Sequence, residues 1–100
     1  MIEGHLKIIA IEKEVDETSK KQFTPYLEAE AQKIWELNQS GLIREIYFTK
    51  NSHNAVLILE CTDETEADNI LNTLPLVKEK LITFNLFPLV PYNGYSRLFT

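Results

Sequence analysis

Three apolar runs in this chain carry charged residues at spacings that chemistry can use. His5 and Lys7 alternate with Leu6 and Ile8 at the head of the first. Arg44 and Glu45 open the second, Ile43-Arg44-Glu45-Ile46-Tyr47-Phe48, and the run that follows, Ala55-Val56-Leu57-Ile58-Leu59-Glu60-Cys61, closes on Glu60. Histidine as a residue type gives and takes protons near neutrality, while Arg and Lys hold carboxylate or enolate charge. A base of matched proton affinity beside a cation is a pairing that general acid–base chemistry uses. The candidate catalytic residues are therefore His5, Arg44 and Glu45. Candidate substrate-binding residues are Lys7, Tyr26, Trp35, Tyr47 and Glu60, the aromatic ones as flat walls for a small ligand. Glu45 and Glu60 gain a second role as bases wherever burial raises a carboxylate's proton affinity.

Each candidate also has a plain structural reading. Arg44 could simply pair with Glu45, Glu60 or a carboxylate of a partner, and Glu45 and Glu60 could pair with Arg44 or Lys7. His5 could sit half exposed and idle, and Tyr26, Trp35 and Tyr47 could be core. His53 is expected in solvent.

The elements that must position these residues follow from periodicity. Leu6, Ile8 and Ala10 alternate with His5, Lys7, Ile9 and Ile11, which predicts a strand over 5–12. Residues 13 to 23 are charged or hydroxyl-bearing and read as a long solvated crossover or a lid. Thr24-Pro25 predicts a helix start with Thr24 as the cap. Leu27, Ala31, Ile34 and Trp35 form its apolar stripe, and Ser40-Gly41 forms its end. The runs over 42–48 and 55–61 flank the polar turn 49–54 as a β-hairpin. The second of them is apolar for five residues without a break, which predicts an interior strand with both faces covered. Asp63 and Glu66 can form a capping box for a second helix carrying Ala67, Ile70, Leu71 and Leu74, which Pro75 should end. A linker over 76–80 leads to a fourth strand over 81–87, with Ile82, Phe84 and Leu86 on one face, and an irregular C-terminal tail follows.

The order strand, helix, strand, strand, helix, strand predicts one α+β domain over residues 1–100: a ferredoxin-like βαββαβ antiparallel sheet with two helices on one face. Every strand carries apolar residues in both alternation sets, so the face without helices would be greasy. A soluble chain seldom leaves such a face open. A homodimer joined sheet to sheet is expected, forming a dimeric α+β barrel, with Tyr92, Tyr95, Leu98 and Phe99 of the tail clasping the neighbour.

Composition narrows the function classes. A chain of one hundred residues makes a single domain with a modest core, burying about two thirds of the surface its unfolded form exposes. A net charge of −5 with no basic block argues against nucleic acid. No apolar run reaches the ~18 residues that span a bilayer, and the first residues lack the layout of a secretion signal, so a cytoplasmic, membrane-free protein is expected. A single cysteine, Cys61, rules out an intrachain disulfide. With no Cys/His spacing for zinc and no glycine-rich phosphate loop or dinucleotide fingerprint, no cofactor is expected.

A resemblance sharpens this. Trp35, the run Leu37-Asn38-Gln39-Ser40-Gly41, Ile43-Arg44-Glu45-Ile46-Tyr47-Phe48, Leu57-Ile58-Leu59-Glu60, Leu74-Pro75-Leu76-Val77 and Phe87-Pro88-Leu89 together resemble the muconolactone isomerase-like group of the dimeric α+β barrel superfamily, over roughly residues 35 to 99. His5-x-Lys7 and Arg44, three residues after Gly41, match as well. The resemblance implies a homodimer and a cofactor-independent isomerase that moves a proton within a small anionic unsaturated metabolite. Two other readings stay open: a monooxygenase like the antibiotic-biosynthesis enzymes of the same superfamily, and a non-catalytic dimeric module that binds a small molecule.

Overall fold

The computed structural model describes residues 5–15 and 20–99. Strand β1 (Leu6–Glu14) lies between β3 (Ala55–Cys61) and β4 (Ile82–Pro88), and β2 (Ile43–Phe48) pairs with the far side of β3, giving a four-stranded antiparallel sheet in the order β2-β3-β1-β4. The 55–61 run is interior, as its unbroken apolar sequence predicts. Directly paired residues of antiparallel strands share a face. Ile8 opposite Leu59, Ala10 opposite Leu57 and Ile43 opposite Leu59 therefore build one continuous apolar layer, fully buried at all five positions.

Helices cover that layer. A helical turn, α1 (Lys20–Phe23), and a 3-10 turn (Thr24–Tyr26) lead into α2 (Leu27–Ser40); α3 (Glu64–Leu71) and a single turn, α4 (Pro75–Lys78), follow the hairpin. Leu37 of α2 and Ala67, Ile70 and Leu71 of α3 join Ile8, Ala10, Leu57 and Leu59 in one core, extended by Leu74. Leu76, Leu81 and Ile82 form a smaller one against Phe23 and Tyr26. The architecture is α+β with an open antiparallel sheet, consistent with a ferredoxin-like fold. Among the described residues no helix is long and apolar enough to cross a membrane.

Local signals mark several boundaries correctly. Gly41 closes α2 at φ 88°, and its N–H donates to the Asn38 carbonyl. That left-handed conformation is one in which a side chain would be unfavourable. Asp63 caps α3 by accepting from the Glu66 N–H at 2.8 Å, while the Glu66 carboxylate accepts from the Thr62 N–H at 2.7 Å.

Other expectations are corrected. The chain is already helical from Lys20, so the solvated crossover is shorter than 13–23, and its residues 16–19 lie outside the described ones. Thr24 sits inside the helical run rather than at its cap, and α2 begins after Tyr26 with no side-chain cap. Pro75 starts α4 instead of ending α3, because its fixed φ and missing N–H suit a first helical position. The buried face of α2 holds Ile34 and Leu37, whereas Leu27 and Trp35 are 49% and 60% exposed. As the layout of two helices on one face predicts, the helices cover only one side of β3. Val56 and Ile58 point to the other face with Ile9, Ile11, Tyr47 and Phe87, and these residues are half buried or exposed.

Candidate functional site

Arg44 owes its position to a defect in the sheet. Ile43 pairs with Leu59 and Glu45 with Ile58, so β2 spends one extra residue, Arg44, where β3 spends none. A bulge of this kind re-aims the inserted side chain. The guanidinium reaches over to β3, where its Nε–H donates to Glu60 Oε2 at 2.6 Å. His5, just ahead of β1, brings Nδ1 to 3.8 Å from the other oxygen of the same carboxylate. That is an ion-pair distance for an imidazolium but long for a hydrogen bond. Lys7 pairs with Glu60 in the β1–β3 register and so shares its face. The structure thus gathers His5, Lys7, Arg44 and Glu60 at one end of the face that carries no helix. The Glu60 carboxylate stands between His5 and Arg44.

Glu45 does not join this group. Its Oε1 accepts from the Tyr47 hydroxyl at 2.6 Å, and that hydrogen bond, with the carboxylate's charge beside it, raises the phenol's proton affinity. Both residues occupy the open face of β2, next to the cluster. The other aromatic candidates lie elsewhere. Tyr26 is on the helical side of the sheet, half buried against Leu76, Leu81 and Ile82, with its hydroxyl 3.4 Å from Glu79 Oε1. Trp35 is on α2. A single pocket walled by Tyr26, Trp35 and Tyr47 is therefore not formed within one chain, because helix and sheet place them on opposite sides of β2. A shallow hollow of about 280 Å³ lined by Gln22, Pro25, Tyr26, Glu79 and Leu81 contains only Tyr26 of the expected residues.

Sequence reasoning missed two carboxylates. Glu12 Oε1 accepts from the Ala55 N–H at 2.8 Å, and Glu30 Oε1 from the Leu76 N–H at 2.9 Å. Burial raises both above the ordinary carboxylate value, outweighing these hydrogen bonds, and Glu12 adds a repulsive contribution at Glu30. The missed signal was parity: Glu12 continues the buried set Leu6, Ile8, Ala10, and Glu30 lies one helical turn before Ile34. His53 is exposed as expected, yet its ring stacks on Phe48 with centroids 3.9 Å apart. Cys61 is 1% exposed, and burial, with Glu66, Asp63 and Glu60 nearby, pushes its thiol up to about 11. Among the described residues no group of three His, Cys, Asp or Glu side chains is arranged to hold a metal ion.

No family model matches this chain, and no curated protein matches it either.

Proposed function

We propose that this chain works as a homodimer whose sheets pack face to face to close a dimeric α+β barrel, and that the cluster at the rim carries out cofactor-independent proton transfer on a small anionic unsaturated metabolite. The observation that carries this reading is the Glu60 carboxylate standing between His5 and Arg44. A carboxylate facing Nδ1 orients an imidazole and supports the charge it gains, so that Nε2 acts as the base. Nε2 of His5 takes a proton from one carbon of the substrate, breaking the C–H bond. Arg44 and Lys7 hold the resulting enolate and the substrate carboxylate. The same nitrogen returns the proton to a second carbon, so the net change is a shifted double bond.

Two further considerations support the assembly. Among the described residues, Ile9, Ile11, Val56, Ile58 and Phe87 form an apolar surface with no helix over it, and such surfaces usually mark an interface. The likeness of His5-x-Lys7, Arg44 and the Leu74-Pro75-Leu76 segment to the muconolactone isomerase-like group points the same way. Pairing two such faces also shelters the rim cluster from water.

The test is deuterium exchange. Incubated with an unsaturated lactone acid in deuterated buffer, the native protein is expected to introduce deuterium at carbon, and His5→Ala and Arg44→Ala to abolish it. No exchange with the native dimer would retire the catalytic half of the proposal. Sedimentation at micromolar concentration addresses the other half: twice the chain mass for the native protein, and a monomer for Ile58→Glu. The 2.6 Å Arg44–Glu60 contact favours a second reading, a non-catalytic dimeric small-molecule-binding module in which the arginine is already neutralised. That reading gains if Arg44→Ala changes ligand-induced stabilisation while native protein exchanges nothing.

A further inference from the structure

Two apolar surfaces are left uncovered on different elements of this chain. The first is a groove between α2 and the edge strand β2. Toward α4, Tyr26 just ahead of α2 reaches Glu79, and Glu30 accepts from the Leu76 N–H; toward β2, about 80° further round α2, Asn38 donates to the Ile43 carbonyl. At ~100° per residue, Leu27, Ala31 and Trp35 fall on the Asn38 side, and so line the flank above β2. Ile46 and Phe48 pair with Leu57 and Ala55 and point to the same side of the sheet, yet they are 39% and 59% exposed.

The second surface is the arm that follows β4, residues 89–99. Leu89 still donates to the Lys7 carbonyl, after which the chain leaves the sheet. The arm has a definite shape. Gly94–Leu98 form a 3-10 turn, Tyr92 and Tyr95 meet edge to face with centroids 5.1 Å apart, and the Tyr92 ring lies so close over Gly94 that a Cβ there would collide with it. Val90, Tyr92, Tyr95, Leu98 and Phe99 nevertheless stay 69–84% exposed. The molecule measures 57 Å along its longest axis, and its radius of gyration is 15.7 Å. A compact domain of this length has a radius of gyration of about 13 Å. Part of the chain therefore stands off from the core. Because arm and groove are exposed in the same molecule, the arm does not occupy the groove of its own chain.

We infer that the arm of one subunit docks into the α2–β2 groove of a second copy of this chain. This rests on the homodimer proposed above and adds where the arm goes. Charge fits: Arg97 is the one charged residue of the arm, and Glu28, which at ~100° per residue falls beside Trp35 on α2, is a carboxylate for it to meet. Area fits as well. The three rings of Tyr92, Tyr95 and Phe99 bury roughly 150–250 Å² each. Two symmetric arms thus contribute about 900–1,500 Å² before the grooves are counted, within reach of the ~1,200–2,000 Å² of a specific interface.

Trp35 is the sole tryptophan and stands in the groove, so its emission reports occupancy. Removing residues 90–100 is expected to shift that emission to longer wavelength while the dimer mass persists. Co-refolding the shortened chain with a full-length Trp35→Phe chain, which lacks the indole, restores the shorter wavelength, because the arm now comes from the other subunit. Arg97→Glu combined with Leu98→Asp gives the same red shift at unchanged length. Emission that ignores truncation, or a red shift that co-refolding fails to reverse, overturns docking between copies. A full-length chain that sediments as a monomer overturns the dimer itself, which keeps the two failures apart.

Discussion

Arg44 Nε–H donates to Glu60 Oε2 at 2.6 Å, and Arg44 is the residue that the bulge adds to β2. The pair is partly solvated, with side chains 53% and 27% exposed. Its worth to stability is therefore small, about 1 kcal/mol or less. Arg44→Ala is expected to lower unfolding free energy by no more than about 1 kcal/mol while eliminating carbon-bound deuterium exchange. Urea denaturation and the exchange assay measure the two effects on the same sample. A loss several times larger would mean that the arginine is structural first. Glu60→Gln keeps the shape but removes the charge, and is expected to slow exchange without changing dimer mass.

Gly41 links α2 to the strand that carries Arg44. Its φ of 88° is left-handed, and nothing lies within 4 Å of where a Cβ would stand, so substitution meets a conformational cost and no collision. Gly41→Ala should destabilise the fold by about 1–2 kcal/mol, and Gly41→Asn by less, since asparagine tolerates this region. Equal denaturation midpoints for native protein and Gly41→Ala would contradict the role assigned to this residue.

Strand identity was legible in the sequence because alternation and turn chemistry agree at the hairpin: Thr49 to Asn54 separate two β-rich runs, and the observed strands begin and end within a residue of the expected limits. Helix ends were legible where one residue decides them, as at Gly41 and Asp63. They were misread at Thr24 and Pro75, where proline continues a helical path as readily as it interrupts one. The stripe of α2 was right at Ile34, which packs against the core, but Leu27, Ala31 and Trp35 repeat at helical spacing as convincingly as the buried Leu37. At the site, residue types were readable and partners were not. Whether Arg44 met Glu45 or Glu60 depended on a bulge, and no pattern of hydrophobicity encodes one.

Cys61 faces the core from the end of β3, 1% exposed, with its thiol pushed up to about 11. At pH 8 roughly one thiol in a thousand would be ionised, and the thiolate is the reactive form. Iodoacetamide is therefore expected to leave the native protein unmodified over a period in which urea-unfolded chain is fully alkylated, as mass spectrometry can read directly. Rapid modification of the folded chain would show that the end of β3 opens.

Glu12 and Glu30 make stability depend on pH in a direction opposite to that of ion-paired carboxylates. Both are raised above 4.5, with burial as the largest cause. The like charge of Glu14 adds to the rise at Glu12 while His53 works against it, and the like charge of Glu12 adds to the rise at Glu30. The folded state therefore holds these protons more tightly than the unfolded chain does, and folding is favoured where they are bound. Their contribution is whole below the unfolded value, and it is lost as pH rises through the raised folded value. Glu30→Gln keeps the oxygen that accepts from the Leu76 N–H and cannot ionise. Compared with native protein, it should be about equally stable at pH 4 and more stable at pH 7, the gap opening between those limits. Glu12→Gln should act likewise through the Ala55 N–H, and the double variant should gain less than the sum, because removing either charge relieves the other. Melting temperatures across that range decide the matter: a gap that does not change with pH, or a variant weaker than native at pH 7, would show that these carboxylates stay ionised at no cost to the fold.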